Sequence, residues 1–207
     1  MSLLVETIKV ENGVIMNIGF HNERMIRSLY GLYGLKSSSD LEKIITVPEF
    51  ARSGIYKCRV IYDDKSIKVE FLPYTIRPVR SLRLIIDENI CYPYKYIARD
   101  KISRLFGMRG DCDDILIIKG GFVTDTSYAN IIFTDPTGEW VTPTTYLLPG
   151  TRRASLLKAG LISEVPVTAS DIKEYTHVKL INAMIGLEDT EGIPVDMILI
   201  YMSIGNE

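Results

Sequence analysis

Apolar and polar residues follow two different rhythms along this chain. Over residues 3–10, β-branched and aliphatic residues mix with polar ones in the manner of a half-buried strand. Glu11-Asn12-Gly13 interrupts the pattern with a pair that readily takes positive φ. Residues 14–18 then read as the returning strand of a hairpin. At His21-Asn22-Glu23-Arg24 the period lengthens and a helix is expected to open. Met25, Leu29, Leu32 and Tyr33 give it an apolar face, and Gly34 is its expected stop. Residues 37–40 read as a loop with caps before a short helix over 41–45. Alternation returns over 54–62 and 66–74, on either side of Asp63-Asp64-Lys65. Ile67, Val69 and Phe71 fall on one face of that second run. Pro73 and Pro78 then bracket a segment that cannot be regular throughout.

A second set of elements starts at residue 82. Residues 82–86 and 114–119 read as strands, the latter buried-looking, with a helical pattern over 100–108 between them. Short strands follow over 122–124, 128–134 and 139–142, separated by Gly120-Gly121 and the turn Asp135-Pro136-Thr137-Gly138. Pro149-Gly150 leads into a helix over 151–159. A strand over 165–167, a helix capped by Ser170, and strands over 177–181 and 197–202 complete the chain. Strands cluster in hairpins and helices intervene irregularly. The expected class is therefore α+β with mainly antiparallel sheets, divided into a small α/β lobe (1–76) and a larger lobe (77–207).

Composition narrows the function classes. The 207 residues are 46% hydrophobic and 24% charged, with a formal net charge of −2. That balance suits a globular domain, and no basic run suggests nucleic acid. No apolar stretch is long enough to cross a bilayer, and the N-terminus lacks the basic region of a signal peptide. Cys58, Cys91 and Cys112 are odd in number and scattered. With only His21 and His177 beside them, a zinc site is not expected, and a reducing, cytoplasmic setting is.

Four stretches could hold chemistry. In Tyr92-Pro93-Tyr94-Lys95-Tyr96 a lysine sits among aromatic rings at an element junction. If the rings exclude water, desolvation disfavours the ammonium, and a neutral amine can attack a carbonyl. Taken alone, the same residues suit a solvated lysine resting its stem on tyrosines. Lys101 falls inside the helical pattern, where lysines are solvated, so Lys95 is the expected nucleophile. Arg24 could offer its fork to a phosphate, or the His21 segment could simply cap a helix. Val123 to Asn130 crowds hydroxyls, an acid and an amide at a junction, which also suits a hydrogen-bonded turn. Gly150-Thr151-Arg152 at a helix start could leave backbone N–H groups free for an anion, as any capped helix could.

Taken together and in this order, these segments resemble the fold-type IV pyridoxal-phosphate enzymes, the class IV aminotransferases. Val5-Glu6-Thr7-Ile8-Lys9-Val10 resembles that family's F-E-T-I-R-V opening. His21-x-x-Arg24-Met25-x-x-Ser28 resembles its H-x-x-R-L-x-x-S helix, and Lys95-x-x-x-Arg99 its lysine segment. Val123-Thr124-Asp125 through Asn130-Ile131-Ile132-Phe133 resembles V-T-E-x-x-x-x-N-x-F. Thr142-Pro143 and Leu148-Pro149-Gly150-Thr151-Arg152 resemble T-P and L-x-G-I-T-R. The resemblance implies a two-lobed fold and pyridoxal 5'-phosphate held by Lys95 as an imine. It further implies phosphate contacts from Arg24 and from the backbone of Thr151 and Arg152, and Asp125 facing the pyridine nitrogen beside Thr126. The freed Lys95 would then act as general base. Arg77 and Arg80, near the lobe junction, are candidates for a substrate carboxylate.

Departures from the pattern are equally specific. Asp125 stands where the family has Glu, and Arg152 where Thr is usual. The chain begins almost at the F-E-T-like segment, so a substrate-side wall is expected to be missing or supplied differently. The short 4-amino-4-deoxychorismate lyases match best, and an aminotransferase of D- or branched-chain amino acids shares all the cofactor contacts. A non-catalytic binding domain of the same fold is the alternative from another class. The family also implies a homodimer, for which Leu32, Tyr33 and Leu35 would supply apolar surface.

Overall fold

The computed structural model describes residues 3–36 and 40–200. The loop expected at 37–39 and the end of the last strand, beyond residue 200, lie outside them. The first part of the chain gives β1 (Leu4–Glu11), β2 (Val14–Ile15), α1 (Ile18–Tyr33), α2 (Leu41–Ile44), β3 (Ile55–Tyr62) and β4 (Ile67–Pro73). Its strands form one sheet in the order β2-β1-β3-β4, antiparallel throughout. Asn12 and Gly13, with φ of 49° and 82°, make the two-residue hairpin turn. The returning strand is shorter than its sequence suggests. Asn17 takes φ of 54° and swings the chain into α1, which opens at Ile18 rather than at His21. Gly34, at φ of 68°, closes that helix, its N–H donating to the Tyr30 carbonyl.

Alternation on β1 sorts two chemistries onto two faces. Leu4, Glu6, Ile8 and Val10 are buried on the face that meets Met25 and Leu29 of α1. Three of these four residues form an ordinary apolar core with Cys58, Val60 and Tyr62 of β3. Val5, Thr7 and Lys9 point the other way. Leu32 and Tyr33, read above as exposed, are half-buried against the apolar core, so only Leu35 of that trio is exposed.

The second sheet is built from β5 (Leu82–Ile86), β6 (Asp114–Lys119), β7 (Phe122–Thr126), β8 (Asn130–Thr134), β9 (Trp140–Pro143), β10 (Ser163–Val165), β11 (His177–Ile181), β12 (Ile193–Pro194) and β13 (Ile198–Ile200). Its main path runs β10-β9-β8-β7-β6-β5-β13, with β11 paired to β8 and β12 to β11. Helices α3 (Asp100–Gly107) and α4 (Thr151–Lys158) accompany it. Antiparallel pairs predominate, but β5–β6, β5–β13 and β9–β10 are parallel. The connection from β5 through α3 to β6 is a crossover of the kind parallel strands require. The apolar run of β6 explains it: Leu116 and Ile118 enter one core cluster and Ile115 and Ile117 another, so this strand is buried on both faces. The helix expected after Ser170 is a single 3₁₀ turn over Asp171–Glu174, and Ser170 makes no side-chain cap.

What joins the two sheets is the lysine segment itself. β2 is too short to cover the start of β1, so that edge is open. Residues 95–97 occupy it: Val5 N–H donates to the Lys95 carbonyl at 3.0 Å and Ile97 N–H to the Leu3 carbonyl at 2.9 Å. No helix of the described residues is long and apolar enough to cross a membrane.

Candidate active site

A cavity of about 430 Å³ opens where β1 and β3 of the first sheet face the ends of β7 and β8 and the start of α4. Lys95 borders it, with Tyr92 and Tyr96 in the same wall. The two rings meet edge-on, and the Tyr92 hydroxyl donates to the Tyr96 carbonyl, which fixes the chain around the lysine. Tyr94 points away, into the core beneath α1. Its hydroxyl lies so close to Gly31 that a Cβ there would sit 2.2 Å from the oxygen. The Lys95 amine is thus crowded by protein on most sides. Desolvation, then the nearby Arg24 charge, pull its pKa down to about 7, against a smaller opposing pull from Glu6. Lys101 is exposed on α3, outside the cavity wall.

Asp125 belongs to the same lining. Its Oδ1 accepts from Asn130 Nδ2 at 2.8 Å, and its Oδ2 from the backbone N–H groups of Leu147 at 3.1 Å and Leu148 at 3.0 Å. Burial nevertheless outweighs these bonds and pushes the carboxyl up to about 6. Asn130 also donates to the Leu148 carbonyl, and its Oδ1 packs on Gly150 so closely that a Cβ there would sit 1.9 Å away. One amide therefore sets the acid, the 147–148 backbone and the entry to α4. The Thr126 hydroxyl lines the cavity but is engaged within its own turn, donating to the Ala129 carbonyl and accepting from the Ala129 N–H.

The third wall rests on a buried charge cluster. Glu6 accepts from Arg24 Nε at 2.9 Å and from Arg24 Nη2, and its Oε2 lies 2.6 Å from His21 Nδ1. Burial pushes this carboxyl up, but Arg24 and His21 together overcome it and hold the group down at about 2. His21 Nε2 reaches the Thr151 hydroxyl at 3.3 Å, tying α1 to the first residue of α4. The Arg24 fork expected to meet an anion is turned on Glu6. Only its Nη1 side, 3.5 Å from the Pro149 carbonyl, faces the cavity. At α4 itself Gly150 is extended and, among the described residues, no side chain accepts from the first N–H groups of the helix.

Five sequence-derived candidates, Lys95, Arg24, Asp125, Thr126 and Thr151, thus border one cavity. Three do not. The Arg152 side chain lies over Gly186 and lines a neighbouring cavity of about 250 Å³, while its backbone N–H, the group expected to meet an anion, stays in the first turn of α4. Arg77 and Arg80 are exposed and outside the lining, and the Arg80 backbone N–H is bound to Asp113. Proline-bracketed residues leave the sheet after β4 and neither arginine joins the lining, although the Arg77 charge acts on Tyr128, which does. Besides Arg24 and Lys95, the cations that line it are Lys57, Arg59 and Arg99. Lys57 and Arg59 are two apart on β3, and that alternation within 54–62 was the available signal. Asn130 stood in a quoted motif, but its joint hold on Asp125 and α4 has no signature in sequence.

Comparison with known proteins agrees with this geometry. The class IV amino-transferase family model matches residues 94–189. An uncharacterized protein of Haemophilus influenzae is 39% identical over 186 residues, spanning 89% of this chain and 98% of its own. A crystal structure from Haemophilus somnus, provisionally named a 4-amino-4-deoxychorismate lyase, is 34% identical. It superposes with a TM-score of 0.85 over 90% of this chain and 98% of that one. The fold is shared more widely. A provisionally named amino-acid aminotransferase of Mesorhizobium loti, at 19% identity, gives a TM-score of 0.78 over 97% of this chain and all of its own (100%). The chain belongs to the class IV aminotransferase family of pyridoxal-phosphate-dependent enzymes.

Proposed function

We propose that this enzyme is a 4-amino-4-deoxychorismate lyase, releasing pyruvate and leaving 4-aminobenzoate. The observation that supports it most directly is the Lys95 amine, with its pKa near 7, sharing one cavity with Asp125 in a chain 34% identical to a provisionally named lyase.

The residues present fit pyridoxal phosphate. Lys95 offers an amine that is largely neutral just above neutrality, Asp125 an acid poised for a cationic ring nitrogen, and the open N-terminus of α4 an anion site. The Gly150 backbone approaches where any side chain would strike Asn130. When bound, the cofactor supplies a carbonyl for the substrate amine and an electron sink for the carbon beside it. Arg24 Nη1 and the α4 backbone would hold its phosphate. Asp125, kept in place by Asn130 and two backbone donors, would keep its ring nitrogen protonated.

In this reading Lys95 moves the protons. Its free amine takes the proton from the ring carbon bearing the substrate nitrogen. The neighbouring C–O bond breaks, its electrons leave with enolpyruvate, and a proton on the leaving group's methylene gives pyruvate. The ring becomes aromatic. The base is matched to the task because an amine with a pKa near 7 both accepts and returns a proton at neutral pH.

The same cavity also suits an aminotransferase, since cofactor contacts do not distinguish the two reactions. One experiment does: the holoenzyme is incubated with 4-amino-4-deoxychorismate and pyruvate is followed by coupled reduction. Stoichiometric pyruvate and 4-aminobenzoate are expected. No pyruvate, together with conversion of an amino acid to its 2-oxo acid, would replace the lyase with the aminotransferase. A protein that binds no pyridoxal phosphate would support the binding-domain alternative.

We also propose a cytoplasmic homodimer. Ile26, Tyr30 and Leu35 are exposed along and just beyond α1, an apolar stripe suited to such a contact. Cys58, Cys91 and Cys112 are free thiols, as suits a reducing compartment. A sedimentation experiment giving only the monomer mass at micromolar concentration would overturn the dimer.

A further inference from the structure

The charged groups around the cavity do not balance. Five basic side chains line it, Arg24, Lys57, Arg59, Lys95 and Arg99, against one acid, Asp125. Three of the five have work already. Arg24 is paired with Glu6, Lys95 is the amine, and the Arg99 guanidinium is bound to the Ser127 carbonyl. Lys57 and Arg59 remain.

Both residues are on the face of the first sheet opposite to α1. They are two apart on β3, so their side chains rise side by side, about 7 Å apart along the strand. Lys57 is directly across from Lys9, an arrangement of like charges that weakens a sheet. Lys9 turns to Glu11 at 3.3 Å and to Asp189 at 3.8 Å, whereas Lys57 has no acidic partner among the described residues. Its ammonium rests 5.9 Å from the centre of the Tyr74 ring. Arg59 stands across from Thr7 on one side and Glu70 on the other, and Glu70 accepts from one of its guanidinium nitrogens. That leaves the remaining edge of a rigidly aimed fork toward the cavity.

We propose that Arg59, oriented by Glu70 and assisted by Lys57, forms a carboxylate subsite that makes this cavity selective for amines bearing two carboxylates over those bearing one. The inference rests on the lyase reading, whose substrate bears one carboxylate on its ring and another on the enolpyruvyl arm. An aminotransferase acting on branched-chain amino acids would have nothing to place there. Occupation of the subsite also favours catalysis. Arg59 is one of the charges that lower the proton affinity of Lys95, so a carboxylate that neutralises it lets the amine accept a proton more readily.

The test uses unreactive probes, so that it does not depend on turnover. The holoenzyme is titrated with isophthalate, which has two carboxylates on a ring, and with benzoate, which has one, and the cofactor absorption band is followed. Wild type is expected to bind isophthalate about tenfold or more tightly, the scale of one charge-assisted pair. Arg59→Gln should remove that preference, Lys57→Gln should reduce it, and Arg59→Lys should keep part of it by retaining charge without the fork. Lys173→Gln makes the same charge change at an exposed residue outside the cavity lining and should leave the preference intact. The cofactor band reports folding in each variant. Equal binding of the two probes by wild type, or a preference unchanged in Arg59→Gln, would overturn the subsite. With 4-amino-4-deoxychorismate, Arg59→Gln should raise KM more than it lowers kcat. If wild type releases no pyruvate, the lyase reading fails, while the probe titration still decides the subsite.

Discussion

Two buried carboxylates, Glu6 and Asp125, have opposite fates. Both are enclosed, and both accept three hydrogen bonds or ion-pair contacts from protein groups. Glu6 meets a guanidinium and an imidazole, and is held down at about 2. Asp125 meets an amide and two backbone N–H groups, and is pushed up to about 6. Neutral donors do not repay the burial of a charge, whereas a full cation does. Lys95 mirrors Asp125, a cation without a bonded anion among the described residues and pulled down to about 7. The Glu6 cluster is complete within the protein and braces α1 against α4. Asp125 and Lys95 are incomplete within it, and each gains from a ligand of the opposite character.

The largest expected effect lies on the incomplete side. Lys95→Ala should abolish the adduct that borohydride fixes between protein and pyridoxal phosphate, and Lys101→Ala should leave it intact. Peptide mapping after reduction checks this, and a pyridoxyl group on Lys101 would make the site assignment wrong. On the complete side the expected loss is stability. Glu6→Gln leaves the Arg24 charge buried without its anion, which costs about 3–5 kcal/mol in comparable cases. Urea denaturation should show a lower midpoint of that scale, and an unchanged midpoint would remove the structural role given to the cluster.

Asp125→Asn separates the two carboxylates most sharply. The protein should keep most of its urea midpoint, because a group already pushed toward neutrality loses little when made neutral. Turnover of the holoenzyme should nevertheless fall about 10²–10³-fold, the scale for removing one preorganised electrostatic partner. A variant that is badly destabilised but fully active when folded would reverse the assignment of roles.

The sequence made different parts of this arrangement legible for physical reasons. Lys95 could be found because its aromatic neighbours allowed desolvation and the ordered family-like segments around it chose that reading over a solvated lysine. The hairpin at Asn12-Gly13 and the stop at Gly34 were local, each being a demand for positive φ. The parallel β5–β6 pair was hidden, since a run such as Asp114–Lys119 shows burial on both faces but not its partner. Arg77 and Arg80 fall outside the lining, because nearness to a lobe junction in sequence says nothing of direction once prolines break the strand. The direction of Arg24 was equally out of reach. Its partner Glu6 is separated from it by 18 residues and lies on a different element. Lys57 and Arg59 were visible as a strand face, but which side of that sheet bordered a cavity depended on α1 covering the other.

The last expected effect is a pH dependence of the cofactor-free protein. Lys95 titrates near 10.5 when unfolded and near 7 when folded. Above the unfolded value both states are neutral and the residue imposes no penalty. As pH falls from there toward 7, the unfolded chain takes up a proton that the folded protein does not, so stability is progressively lost. Below 7 both are protonated and the penalty is constant. Lys95→Met, which fills the same space without a charge, should therefore stabilise the protein at about pH 6 and gain little at about pH 10. Asp125 adds no comparable trend there, because its transition near 6 lies at the foot of this window. Paired urea midpoints of wild type and variant at the two pH values check it. A difference that does not shrink at high pH would mean that the lysine is solvated in the folded protein, and that its reactivity has another source than burial.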